Sequence, residues 1–254
     1  MAKDRIAYGR ALKLTPLKDH LVKQGLIDEP AEWKELSGGR TNKVWKVTQN
    51  NSIEVCVKLY PKNNWGNPLF PNDPEVEFAC LTKFHTSNLC PKPIALSNSP
   101  LGRCVLYQHL SGPWLENEFD AAAKTLALLH NMPLLAALRQ SPIGSDQIRA
   151  HAHEILKNCP TKKAKDLVDL QPDSKVQANG SYAIIHTDPV PANIILSNGT
   201  AKLIDWQCPA IGSPQEDLCH FLSPAMQWLY RGTSLTDQDR QDFLHSCLLY
   251  TSDV

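Results

Sequence analysis

The chain changes character at Ser111-Gly112-Pro113. Before that tripeptide, apolar residues fall in short runs of β type: Val44–Val47, Ile53–Tyr60 and Arg103–His109. An Asn- and Pro-rich loop, Pro61 to Pro74, and a helix from about Pro74 to Thr86 separate the last two. Proline suits a helix start because its missing N–H has no partner to lose there. Ahead of these runs, Ile6 to Leu26 reads as short helices interrupted by Pro16. Beyond Pro113 the periodicity is helical over about Glu116–Asn131, Asp146–Asn158 and Lys162–Leu170. Two strand-like runs follow, Ala183–His186 and Ile194–Ile204, and then two or three helices broken at Pro224. A chain of 254 residues suffices for two lobes around a cleft. The pattern predicts an α+β fold. Residues 1–110 form a lobe of antiparallel sheet with leading helices and one further helix. Residues 111–254 form a mainly helical lobe, and Gln108–Gly112 is the hinge.

Polar residues with chemistry gather around the strand-like runs of the second part. The segment Ile184-Ile185-His186-Thr187-Asp188-Pro189-Val190-Pro191-Ala192-Asn193-Ile194 is followed by Leu203-Ile204-Asp205-Trp206. Phosphoryl transfer asks for a carboxylate beside the attacking hydroxyl and for hard oxygen ligands that hold Mg²⁺. Asp188 can accept or orient the hydroxyl proton, while Asn193 and Asp205 offer metal-binding oxygens. Either of Asp188 and Asn193 alone reads as a turn residue beside prolines; the ordered set reads as a site. In the first part, the alternation of Val55-Cys56-Val57-Lys58-Leu59 puts Lys58 on the strand face opposite Val55, Val57 and Leu59.

These residues resemble the aminoglycoside phosphotransferase and choline kinase group, relatives of the protein kinases. The group's His-x-Asp-x-x-x-x-Asn followed by Ile-Asp-Trp/Phe is matched by His186, Asp188, Asn193 and Ile204-Asp205-Trp206. Its Gly-x-Pro-x-x-Asp-Leu is similar to Gly212-Ser213-Pro214-Gln215-Glu216-Asp217-Leu218. The resemblance covers roughly Leu36 to Tyr230 and implies a bilobal protein-kinase-like fold with ATP and Mg²⁺ as cofactors. It implies Asp188 as catalytic base, Asn193 and Asp205 as Mg²⁺ ligands, and Asp217 as support for the catalytic loop. Lys58 is then the phosphate-binding lysine, held by Glu77 of the following helix, with Glu75 the second choice.

Leu36-Ser37-Gly38-Gly39-Arg40-Thr41-Asn42 is similar to the group's phosphate loop. Glycines there let backbone N–H groups approach phosphate oxygens, and Ser37, Thr41 and Asn42 add polar contacts. Val105 to Gly112 looks like the group's hinge, where backbone groups of Gln108 and Leu110 meet the adenine. The implied activity is transfer of the γ-phosphoryl group to a small-molecule alcohol, either an amino alcohol of choline, ethanolamine or thiamine type or an aminoglycoside-like substrate. A catalytically silent nucleotide-binding module of the same fold is the alternative. The chain departs from the group at Thr187, where glycine is common, and at Gln207, where an acidic residue is frequent.

Other classes are disfavoured. Lys+Arg and Asp+Glu balance at 26 each, so no bulk field draws the chain to nucleic acid or anionic membrane. No apolar run approaches the roughly 18–20 residues of a membrane span, and the amino terminus lacks a secretory core. Eight cysteines are scattered without a C-x-x-C pair, which predicts reduced, structural thiols and a cytoplasmic protein. His151 and His153 stand about 200° apart on a helix and predict no metal site. His130 reads as a packed histidine. Trp114, Trp206, Trp228 and Tyr230 read first as core aromatics, with Trp228 and Tyr230 as candidates for an aromatic box around a cation. The last residues, Cys247-Leu248-Leu249-Tyr250-Thr251-Ser252-Asp253, resemble the translation of a transposon-end sequencing adapter. That resemblance gives the expectation of a reading frame lost near His245, a non-native end over 247–254, and absent C-terminal helices.

Overall fold

The computed structural model describes residues 14–36, 41–50, 52–61, 71–159, 161–178, 180–197 and 199–252. Helix α1 (Thr15–Lys23) leads into strands β1 (Glu32–Glu35), β2 (Lys43–Thr48) and β3 (Glu54–Pro61). Helix α2 (Pro74–Phe84) precedes β4 (Pro93–Ser99) and β5 (Gly102–Gln108). The five strands form one antiparallel sheet in the order β1-β2-β3-β5-β4.

Central position explains why β3 is buried on both faces. Val55, Val57 and Leu59 pack with Leu17 and Leu21 of α1. Cys56 and Tyr60 face the other way, toward Cys80, Leu81 and Phe84 of α2. The second core does not stop at the lobe boundary. It runs on through Leu126, Ile184, Trp206 and Phe221, so the two lobes share apolar contacts.

The second lobe contains α3 (Phe119–His130), β6 (Arg139–Gln140), α4 (Gly144–Lys157), α5 (Lys162–Asp169) and β7 (Ala183–Ile185). A hairpin of β8 (Ile194–Ser197) and β9 (Thr200–Leu203) follows, then β10 (Ala210–Gly212) and helices α6 (Pro214–Phe221), α7 (Pro224–Arg231) and α8 (Asp237–Ser252). Strands β6, β10 and β7 make a small sheet that carries the chain into the loop at 186–193. Helix α8 lies along α3, burying Phe243 and Cys247 and bonding the Tyr250 hydroxyl to Asp120 at 2.9 Å. Among the described residues no helix is long and apolar enough to cross a membrane.

The mixed α+β expectation is met, with differences that have physical causes. Pro16 opens α1 instead of interrupting it, as a first-turn proline does. The run Ile194–Ile204 is two strands, because Gly199 with φ 75° turns the chain back. Strands β1 and β4 were not foreseen: β1 has a single apolar residue, Trp33, and β4 only the short run Pro93 to Leu96 before Ser97-Asn98-Ser99. Both are edges of the sheet, where polar residues and Pro93 are tolerated.

The segment after β5 is stapled to the β8–β9 hairpin. Leu196 N donates to Pro113 O at 3.0 Å, and Leu115 N donates to Ile194 O at 3.0 Å. Gly112 permits this approach, since a Cβ there would lie 1.8 Å from the Leu196 carbonyl oxygen.

Candidate active site

Helix α2 begins at Asp73, whose side chain accepts from Glu75 N and Val76 N and so caps the first turn. Its buried stripe is Glu77, Cys80, Leu81 and Phe84, at helical spacing. Glu77 therefore points into the core, where it is fully buried. Its Oε2 lies 2.5 Å from Lys58 Nζ and also accepts from the Tyr60 hydroxyl. Glu75, on the outer face, pairs instead with Arg103 at 2.5 Å.

Lys58 also donates to Asp205 Oδ1, so one ammonium links a first-lobe helix to the loop after β9. The side chain of Lys58 is 3% exposed and that of Asp205 is 31% exposed. Burial alone would lower the Lys58 ammonium; the Asp205 and Glu77 carboxylates more than offset this and hold it well above its ordinary value. Glu77 moves the other way from an ordinary ion-pair carboxylate, raised by burial to about 7. The asymmetry follows from the count of charges. Lys58 faces two carboxylates, whereas Glu77 faces one ammonium and the like charge of Asp205. Lys58 is therefore charged, with two of its three donors taken by Glu77 and Asp205.

The loop at 186–193 hangs from Asp217, fully buried in the first turn of α6. Asp217 Oδ2 accepts from His186 N at 2.9 Å and Oδ1 accepts from Thr187 N at 2.8 Å. His130 Nε2 on α3 lies 3.0 Å from Oδ2. Burial would raise this carboxyl, yet the His130 hydrogen bond, the histidine charges and the backbone N–H groups hold it below its ordinary 3.8. Thr187 has φ 69°, in the region a β-branched residue avoids, and its Oγ1 donates to Cys208 O at 2.9 Å.

Asp188 follows directly. Asn193 Nδ2 donates to its carbonyl at 2.9 Å and to its Oδ2 at 3.1 Å. His220 Nε2 of α6 lies 3.3 Å from its Oδ1. The two halves of the site are tied together through the backbone. Ile204 N donates to Asn193 O at 2.9 Å, and His186 Nε2 donates to Ile204 O at 3.0 Å. His186 packs edge-on against the buried ring of Trp206 at 4.7 Å and feels the charges of Asp217, Asp188 and Asp205. Burial drives its imidazole below 6.5.

The donor set suits a hard cation shared with a nucleotide. Asn193 has its nitrogen committed to Asp188, which leaves the carbonyl oxygen as the atom that could take a cation. Asp205 offers a partly exposed carboxylate. Among the described residues no group of three or more His, Cys, Asp or Glu side chains forms a metal cage. Mg²⁺ bound through one or two protein oxygens, triphosphate and water needs none.

The nucleotide-binding expectations fare unevenly. Ser37, Gly38 and Gly39 lie outside the described residues. Thr41 is exposed, two residues ahead of β2. Asn42 is buried, and its amide bonds Asn72 Oδ1 at 2.7 Å and Gln207 Oε1 at 2.8 Å. It bridges the lobes beside Asp205; this role was not foreseen, nor was the use of Gln207. At the hinge, Gln108 N donates to Lys92 O and His109 N to Glu54 O.

Sequence reasoning also missed Tyr60 and His220. Both had a readable signal: Tyr60 stands two residues after Lys58 on the same strand face, and His220 one turn after Asp217 and Glu216. Of the aromatics, Trp206 is core, Trp228 is 65% exposed, and Trp114 and Tyr230 meet beside Pro191 and Ala192 around a recess of about 340 Å³.

Comparison with known proteins agrees with this fold. A family model described as the phosphotransferase enzyme family matches residues 32–246. No curated protein sequence matches the chain. Among solved structures, a choline kinase from Streptococcus pneumoniae is 20% identical with TM-score 0.59, covering 91% of this chain and 78% of its own. A type VIII aminoglycoside-3'-phosphotransferase is 14% identical with TM-score 0.65, covering 91% and 89%. An amicoumacin kinase in complex with AMP-PNP, Ca²⁺ and its substrate is 12% identical with TM-score 0.60, covering 93% and 77%. At these identities the likeness shows the fold.

Proposed function

Because this chain belongs to the phosphotransferase enzyme family, we propose that it transfers the γ-phosphoryl group of ATP, with Mg²⁺, to a hydroxyl of a small molecule. The observation that carries the reading is the Lys58 ammonium shared between Glu77 and Asp205, with Asp188 and Asn193 joined to the same loop system. In this reading the first lobe holds the nucleotide through Lys58, the loop at 37–42 and the hinge backbone at 108–110. Asp205 and Asn193 would hold Mg²⁺, which would supply charge neutralisation at the phosphate oxygens.

The acceptor oxygen forms a bond to the γ-phosphorus as the bond to the β–γ bridging oxygen breaks. The hydroxyl proton passes to Asp188, and ADP leaves. Catalysis comes from positioning and charge: Asp217 and Asn193 fix the Asp188 carboxylate, and Lys58 opposes the phosphate charge. The solved relatives named as choline kinase and aminoglycoside phosphotransferase support amino alcohols and aminoglycosides as the first acceptors to test. Eight free cysteines, six of them buried, fit a reducing cytoplasm.

The test is ADP release over a panel of amino alcohols, aminoglycosides, thiamine and sugars. Asp188→Ala should lower turnover by about 10²–10⁴-fold while Mg-ATP binding persists by calorimetry. Undiminished transfer in that variant would end the reading.

A further inference from the structure

A cavity of about 1110 Å³ lies between α4, the extended segment 171–178 and the first turns of α6, apart from the Lys58 and Asp188 clusters. Its size suits a small-molecule ligand. Helix α4 carries an apolar stripe, Ile148, Ala152, Ile155 and Leu156, at the spacing of one helical face. No residue of α4 is buried, and the stripe lines the cavity instead of joining the core.

The opposite wall is built against this helix. Ser145 N donates to Val176 O at 3.0 Å, Val176 N donates to Ser145 Oγ at 2.9 Å, and Arg149 Nη1 donates to Pro172 O at 3.2 Å. Gly144 has φ 71°, and a Cβ there would meet Ala178 N at 3.0 Å, so the segment lies directly on the helix start. These contacts make the recess preformed.

The third wall leads to the chemistry. Glu216 of α6 lines the cavity and accepts from Ser141 Oγ at 2.7 Å. His220 stands one turn further along the same helix face, 3.3 Å from Asp188 Oδ1. One turn is about 5.4 Å, the rise along α6 from the cavity wall at Glu216 to the residue beside Asp188.

We propose that this cavity takes the apolar body of the phosphate acceptor. The acceptor is then an alcohol joined by a short spacer to a bulky hydrocarbon or aromatic group, with the hydroxyl reaching past Glu216 and His220 to Asp188. The proposal rests on the phosphotransfer reading and narrows its substrate class. An apolar stripe of this kind gains by being covered, and the continuity of α6 from Glu216 to His220 makes the acceptor its natural cover.

The probe is a series of N-alkylated ethanolamines from methyl to octyl, followed by ADP release and by calorimetric binding with saturating Mg-ATP. Affinity and kcat/KM should rise about fourfold per added methylene until the cavity fills. Ala152→Trp, which occupies the cavity, should flatten that slope. Ile148→Lys should do the same, and its side chain is 55% exposed, so a broken core cannot account for the loss. Transfer that proceeds with no dependence on tail length, or a slope unchanged in both variants, overturns the cavity proposal and leaves phosphotransfer intact. Mg-ATP binding with no ADP release from this series or from the wider alcohol panel counts against phosphotransfer itself, and removes the acceptor role with it.

Discussion

Replacing Asp217 by asparagine keeps the shape of the side chain and removes its charge. The carboxylate now serves three donors: His186 N and His130 Nε2 at Oδ2, and Thr187 N at Oδ1. An amide has one acceptor atom, so whichever way it is turned one buried backbone N–H faces another donor. Leaving that group unsatisfied costs about 2 kcal/mol, and each of the two remaining bonds loses about 0.5 kcal/mol of charge assistance. The cost of burying the charge does not cancel this, because the Asp217 carboxyl already sits below its ordinary value and its bonds outweigh burial. The total is about 3 kcal/mol, or roughly 6–12 °C in melting temperature for a chain of this size. Melting of both proteins at pH 7, followed by circular dichroism, measures it.

The difference should contract as pH falls below 3.8. A depressed carboxyl stabilises the fold above its unfolded value and ceases to do so as it protonates. Activity should fall more than nucleotide binding. Thr187 N anchors the residue before Asp188, and a misplacement of about 1 Å can cost 10²-fold in rate. A variant that melts within about 2 °C of the parent and keeps its kcat would refute the claim that Asp217 holds the loop.

Gly112→Ala should destabilise by about 1–3 kcal/mol or more, since the new Cβ meets the Leu196 carbonyl oxygen at 1.8 Å; urea denaturation measures it. Glu75→Ala should leave stability within about 0.5 kcal/mol and transfer intact, because its partner Arg103 is exposed. Glu77→Ala should instead lower kcat/KM by loosening Lys58, and equal rates in the two variants would contradict the assignment. The His186 imidazole is held below 6.5 by burial, so the unfolded chain takes up that proton first as pH falls. The His186 contribution to stability should therefore decline from pH 6.5 downward, opposed by Glu77, whose raised carboxyl protonates first in the folded chain, and the difference between the parent and His186→Gln in urea midpoints taken between pH 7.5 and 5.5 isolates it.

The parts legible in the sequence were those with a period or an order. Alternation along Val55–Leu59 put Lys58 on its own face, and helical spacing separated Glu77, in line with Cys80 and Phe84, from Glu75 on the outside. The order His186, Asp188, Asn193, Asp205 brought the second-lobe groups to one loop system, where hydrogen bonds now join them. What escaped lacks such marks. Edge strands β1 and β4 gain their order from neighbours more than from their own residues. Asn42 and Gln207 are 165 positions apart, and nothing local in either announces that their side chains meet. Asn42 was expected at phosphate; the polar pocket between lobes claimed its amide instead.

Backbone strain sits where the chemistry is expected. Of four non-glycine residues with positive φ among those described, Ser52 and Asn88 are turn residues, while Thr187 and Asp205 flank the β8–β9 hairpin with its leading loop. Such conformations cost of order 1–3 kcal/mol each, and both are over-determined. Thr187 is held by Asp217 through its N–H and by Cys208 through its hydroxyl; Asp205 is held by Lys58. The left-handed turn at Thr187 swings the next residue, Asp188, off the line of β7, and the one at Asp205 sets its own carboxylate against Lys58. A relaxed backbone at either position would redirect a carboxylate. The buried bonds of Asp217 and Lys58 thus serve geometry first, fixing the backbone that leads into Asp188 and the carboxylate of Asp205.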